Sequence, residues 1–496
     1  MKRPRQAFGR LSLVFFLLAS VLVLYGVRAE PMNWTALTSA VFFFLLYVVA
    51  LSGPSHATAK LRERYRPKRN DRSAAGPQRQ WSEAENAQAV AIAEYNMKVI
   101  SHVPDARAYQ MKPVRLNPII PPSSDAKSWI GGTPTLPNGM DWPEAAGEPM
   151  AFLAQIYLPD LPEMIWGGLG PRAGSLAFFS VVKNGALTLD IFAIHLDEPS
   201  LRSVVSDRDA TGFYFGTDGD RAYDLLADCG VSVPRRPFCW PVEVEPLDGQ
   251  ELPTRPSKLR DRNNPRWLWQ REAKLSDPAY QPFNWASARL LVESLRRSQE
   301  QIIGWRERSR EKAPKLIGRD IASRRRAVGR LEVIAEDIAM REGPFQELDW
   351  EALHKSLLAV VVESAEQKEP GSEELCLMPE QSVISERNAL KTFLLPFEMI
   401  VKDAYLTEPN AVAGSIREAL EAVWRFDAAH EFPTMGGVVG ENFPYARYED
   451  PVFLLDLPSG DLVGWMFGDV AHLGIFIAPD DLKAGHFDKC WAAVSN

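Results

Sequence analysis

The chain has 496 residues, 46% apolar and 24% charged, which excludes a disordered or fibrous protein and leaves length for two or three ordinary domains. Its net charge of −8 is unevenly spread: residues 1–79 hold 13 Lys and Arg against Glu30, Glu63 and Asp71, a net of +10, so residues 80–496 carry −18. An acidic body argues against a surface that neutralises nucleic-acid phosphates, and four cysteines at no short metal-ligand spacing do not make a disulfide framework.

The first predicted elements are membrane spans. Leu11 to Val27 and Trp34 to Ser52 contain no charged residue, and each approaches the roughly 20 residues that cross a hydrocarbon core as a helix. Lys2, Arg3, Arg5 and Arg10 precede the pair, and Lys60, Arg62, Arg64, Arg66, Lys68, Arg69 and Arg72 follow it; the connecting loop has only Arg28 and Glu30. The positive-inside rule then places both ends in the cytoplasm. Residues 1–53 are expected to form a two-helix transmembrane hairpin, with 54–81 a basic polar linker facing anionic lipid. The small residues around Val27-Arg28-Ala29 also resemble a signal-peptidase site, and cleavage there would still leave the body inside. The expected location is a bacterial inner membrane, with most of the chain cytoplasmic.

Ser82-Glu83-Ala84-Glu85 has capping-box spacing and opens a helix to about Ile100. Five prolines between Pro104 and Pro122 impose extended or turn backbone, and the apolar runs Ala151 to Leu158, Ser175 to Val182 and Leu187 to His195 read as strands. Residues 82–250 thus form a first β-containing half. From 251 to 425 the period becomes helical: Leu291, Leu295, Ile302, then Ile317, Ile321, Val328, Leu331, Ile334 and Ile338 predict two long helices joined near Pro314. Further helical stretches are expected at about 346–366, 380–392 and 411–425. Arg319, Arg324, Arg325, Arg326 and Arg330 crowd one long helix, a pattern that reads as a solvated face or as partners for acidic neighbours. Strands resume in 426–496.

A weak internal repeat links the two ends. Pro149-Met-Ala-Phe-Leu-Ala-Gln155-Ile is echoed by Pro451-Val-Phe-Leu-Leu-Asp456-Leu, and Gly174-Ser-Leu-Ala-Phe-Phe179 by His472-Leu-Gly-Ile-Phe-Ile477. The predicted fold class is therefore α+β, with two related sheet-containing halves, an enlarged helical section between them and the N-terminal hairpin. These residues also carry a resemblance. Ser128-Trp-Ile-Gly131-Gly132-Thr-Pro134, Trp142-Pro143 and the run to Gln155, with His430, Gly436-Gly437 and Gly468-Asp469 later, resemble the YwqG-like family, a bacterial family of unknown function. The resemblance covers about 105–200 and 426–496. It implies two similar sheet-containing halves and supplies no catalytic residues. Where that family usually has Trp-Gly-Asp this chain has Phe467-Gly-Asp, and Asp456 stands where Gln is frequent.

No phosphate loop, dinucleotide fingerprint, zinc-protease helix or nucleophile elbow occurs, so no cofactor is expected. Gly131-Gly132 could cradle an anion through backbone amides, although Gly alternating with Pro more often sets turns. Gln155, alternating with apolar neighbours, is expected to face the interior, join the halves and find hydrogen-bond partners there. His430, Asp456 and Asp469 are candidates for acid/base chemistry. Asp207, Asp209, Thr211 and Asp218 match part of a calcium loop, but a polar surface turn is the simpler reading and no metal is expected. Two functions remain: a membrane-tethered binding or regulatory module with a protein partner, or a hydrolase or ligand-binding protein with a cleft between the β halves.

Overall fold

The computed structural model describes residues 113–137, 139–145, 148–181, 190–196, 216–233, 236–247, 264–341, 343–368, 374–386, 389–437, 451–468 and 470–495. The expected spans at 11–27 and 34–52, the linker 54–81 and the helix from Ser82 lie outside them. Among the described residues no helix is long and apolar enough to cross a membrane.

The strands are β1 (Val114–Pro118), β2 (Ser128–Ile130), β3 (Glu144–Ala145), β4 (Glu148–Pro149), β5 (Ala151–Tyr157), β6 (Ser175–Val181), β7 (Asp190–Leu196) and β8 (Trp240–Pro246) in the first half. In the second half they are β13 (Thr434–Met435), β14 (Val452–Pro458), β15 (His472–Ile477) and β16 (Trp491–Val494). Apart from the small β3–β4 hairpin, all of these join one ten-stranded sheet in the order β16-β15-β14-β13-β1-β8-β2-β5-β6-β7. The pairings are antiparallel. The two halves therefore form the two ends of one sheet, with β1 and β8 between them. Edge strands β7 and β16 approach each other, and His195 of β7 packs its ring 6.0 Å from that of Phe487.

The repeat is physical as well as textual. A short strand, β2 or β13, ends in a glycine pair with positive φ: Gly131 and Gly132 at 66° and 72°, Gly436 and Gly437 at 70° and 82°. The strand that follows in the sheet, β5 or β14, has a register shift, between Phe152 and Ala154 in one and between Phe453 and Leu455 in the other. A bulge inserts one residue and so resets the in/out alternation of side chains. Leu153 and Ala154 consequently both enter the main core, as do Leu454 and Leu455. Phe152 and Phe453 instead lie in separate clusters, each packed on the matching residue of the next strand: Phe152 on Phe179 at 5.4 Å and Phe453 on Phe476 at 5.1 Å between centroids.

The helical section packs into the main core with the sheet. Its helices are α2 (Pro265–Arg271), α3 (Trp285–Arg308), α4 (Pro314–Ala339), α5 (Glu347–Leu358), α6 (Lys391–Thr407) and α7 (Gly414–His430); α1 (Gly216–Asp228) precedes them and α8 (Pro479–Ala484) follows. Asn284 caps α3 by accepting from Ser287 N at 2.8 Å, while Ser287 Oγ accepts from Asn284 N at 3.1 Å. Pro314 opens α4 at a position where its missing N–H costs no intrahelical bond. The expected pair of long helices is present. The section is not all helical, however. The helix expected at 346–366 stops at Leu358, because the β-branched Val360-Val361-Val362 run favours a strand: β9 (Val361–Val362) pairs with β12 (Gln381–Ser382), and β10 (Ala365–Gln367) with β11 (Leu375–Leu377). The helix expected at 380–392 is replaced by β12 and a 3-10 turn, and the next helix is α6, from Lys391. α1 was not expected either.

Candidate functional site

The structure distributes the residues singled out from sequence. Gln155 is buried, and its amide closes a ring with one residue: Thr135 N donates to Oε1 at 2.9 Å and Nε2 donates to Thr135 Oγ1 at 2.8 Å. These bonds brace the loop after the glycine pair within the first half instead of joining the halves. Gly131 N donates to Leu153 O and Gly132 N to Pro237 O, so those amides hold no anion. Both glycines are needed for close approach: a Cβ on Gly131 would stand 2.3 Å from Phe238 O, and one on Gly132 would stand 2.4 Å from Cys239 Cβ.

Asp456 is buried, at the place equivalent to Gln155, and its imidazole neighbour is His472, with Nδ1 3.1 Å from Oδ1. His430, at the end of α7, instead donates from Nδ1 to Phe426 O at 2.7 Å and packs on the Phe426 ring. Gln155 and Asp456 lie on strands five steps apart in the sheet, a path of about 24 Å at ~4.8 Å per step. The pocket at the junction of the halves, beside Ile130, Pro458 and Trp465, is only ≈ 10 Å³, the space of about one water. Among the described residues, Gln155, His430 and Asp456 do not come together in one cleft. Asp469, Asp207, Asp209 and Thr211 lie outside the described residues, and Asp218 falls in the first turn of α1.

Two clusters that no motif marks are assembled by the helical section. In the first, Arg266 of α2 reaches Glu398 of α6 with Nη1 and Nη2 at 2.9 and 3.0 Å, Asp427 of α7, and Asp461 at 3.4 Å from Nε. Trp424 Nε1 donates to Glu398 Oε1 at 3.0 Å, and Lys402 Nζ donates to Asp461 O at 2.9 Å. Burial by itself raises the Glu398 pKa, but the Arg266 and Lys402 charges outweigh it and hold the carboxyl well below its usual range. Burial lowers the Lys402 pKa despite Glu398. The cluster clasps α2, α6 and α7 to the 459–467 turn of the second half. Asp427, Glu431 and Asp461 offer carboxylate oxygens within 4.8 Å of one another. Arg266 already neutralises two of them and Glu431 accepts from Leu462 N at 3.2 Å, so the geometry is that of a tether.

The second cluster surrounds a cavity of ≈ 330 Å³ between α3, α4 and the short strands, at the lower end of the range for small-ligand sites. Arg324, the buried member of the arginine run, forms its inner wall. Its Nε donates to Asp320, Nη1 to Gln299 and Glu386, and Nη2 to Ser364 and Glu386, which uses all five of its N–H groups. Asp320 also accepts from Ala365 N at 2.9 Å and pairs with Arg306 Nε at 2.8 Å. At the mouth stand Trp305, 52% exposed, and Glu366, also exposed, with Arg306 and Gln381 half-buried. The other arginines divide as surface residues do: Arg319 pairs with Glu363 and Arg325 with Glu307, both exposed. Sequence periodicity put Arg324 among them; only its i,i+4 partner Asp320 hinted otherwise.

Comparison with curated proteins returns no match. Residues 128–220, from β2 into α1, and 413–495, from α7 to β16, match a family described as a domain of unknown function (DUF1963), and the cavity lies between these two matched segments.

Proposed function

We propose that the chain is a binding module held at the cytoplasmic face of a membrane by an N-terminal hairpin, in a YwqG-like frame, and that its ligand site is the cavity of the helical section. The observation that carries this reading is the contrast between two places. Among the described residues, the pocket at the junction of the β halves has room for about one water and Gln155 and His430 are bonded locally, whereas the cavity between α3 and α4 is open and lined by polar groups. The tether is supported by the two uncharged runs and their basic flanks. A hydrolase reading draws on the Asp456–His472 contact.

The test uses the full chain. It should resist carbonate extraction from membranes, and a reporter fused after Asn496 should be active only in the cytoplasm; activity on the other side would refute the tether. Turnover of p-nitrophenyl esters, phosphates or glycosides that disappears in a folded His472→Ala variant would replace the binding reading with the hydrolase one.

A further inference from the structure

Resting on the reading of the chain as a binding module, we propose that the cavity of the helical section is a saccharide site, which takes a neutral polyhydroxylated ring stacked on Trp305. Charge narrows the ligand class first. The two guanidinium groups, Arg306 and Arg324, are balanced by Asp320 and Glu386, and Glu366 adds a further negative charge at the mouth. A polyphosphate would be placed against three carboxylates. A simple cation would be placed against two guanidiniums.

What the cavity retains is hydrogen-bonding capacity of both senses. Among the described residues, Arg306 Nη1 and Nη2 and the Gln381 amide have no side-chain partner, and the Glu366 carboxylate has none either. Ser309 Oγ donates to Trp305 O at 3.2 Å and keeps its lone pairs. Donors of Arg306 and Gln381 thus share one cavity with acceptors of Glu366, Gln381 and Ser309. A hydroxyl is the ligand group that answers both, since it donates and accepts at once. The half-exposed Trp305 indole offers an apolar face for the C–H side of such a ring. The volume of ≈ 330 Å³ suits one or two rings. This site lies outside both matched segments, so it is a property of the helical section of this chain.

The test is saturation-transfer-difference NMR on the full chain in phosphatidylcholine nanodiscs, which avoids detergents with sugar headgroups. The probes are N-acetylglucosamine, N,N′-diacetylchitobiose and maltose, with L-glutamine as a zwitterion and inorganic phosphate as an anion. The expected result is saturation of the ring protons of at least one saccharide, reduced at least tenfold in Trp305→Ala and in Gln381→Ala while the melting curve is unchanged. Failure of all three saccharides to saturate, or a saccharide signal that survives Trp305→Ala, overturns the proposal. Binding of L-glutamine or phosphate alone, lost in Trp305→Ala, also overturns it but leaves the binding module standing with a different ligand.

Discussion

Arg266→Met removes the guanidinium that contacts Glu398, Asp427 and Asp461 and leaves an unbranched apolar side chain in its place. The side chains of Glu398 and Asp427 are 4% and 0% exposed, so neither carboxylate can recover hydration without opening the helices. Breaking a buried ion pair from one side costs about 3–5 kcal/mol. Lys402, 3.4 Å from Glu398 Oε1, still compensates part of that charge, which places the expected loss near 3 kcal/mol at pH 7. The sign with pH follows from the depressed Glu398 pKa. In the parent chain that carboxylate contributes stability that is complete above its ordinary value near 4.5 and is lost as pH falls through the lower folded value. In the variant, burial raises the Glu398 pKa with less opposition, so protonation relieves the unpaired charge and the deficit shrinks from pH 7 to pH 4. Urea titrations of the full chain in nanodiscs, followed by tryptophan fluorescence, read both quantities. A deficit under about 1 kcal/mol at pH 7, the scale of an exposed pair, or one that does not change with pH, would refute the assignment of this cluster as a buried tether.

Two further substitutions, Gly132→Ala and Gln155→Leu, probe the repeat, each against a control. Gly132→Ala and Gly230→Ala both place a side chain at positive φ, 72° and 67°, but only the first meets atoms, those of Cys239. Gly230→Ala is expected to cost the left-handed penalty of about 1–2 kcal/mol, and Gly132→Ala clearly more; equal midpoints in urea would contradict the close approach. Gln155→Leu leaves the Thr135 amide without its acceptor and is expected to cost about 1–3 kcal/mol, whereas His430→Ala should cost less than about 1 kcal/mol. A larger effect at His430 than at Gln155 would reverse their structural ranking.

Local pattern determined a good deal about this protein. The proline and glycine punctuation located β5 and β6, the 3.6-residue period located α3 and α4, and the echo of Pro149–Gln155 in Pro451–Asp456 pointed to two related β units. Each of these signals is written in neighbouring residues, because turns, caps and side-chain alternation act over a few positions. Tertiary structure alone decided the rest. It merged the two units into one sheet across β1 and β8, and it chose the partners of the strands that follow the β-branched run Val360-Val361-Val362, at Leu375–Leu377 and Gln381–Ser382. It also chose Arg324 from five similar arginines for burial and drew Arg266 to Asp427, 161 residues away. Pairing over such separations is set by which surfaces the packed core brings together, and no periodicity in the chain records it.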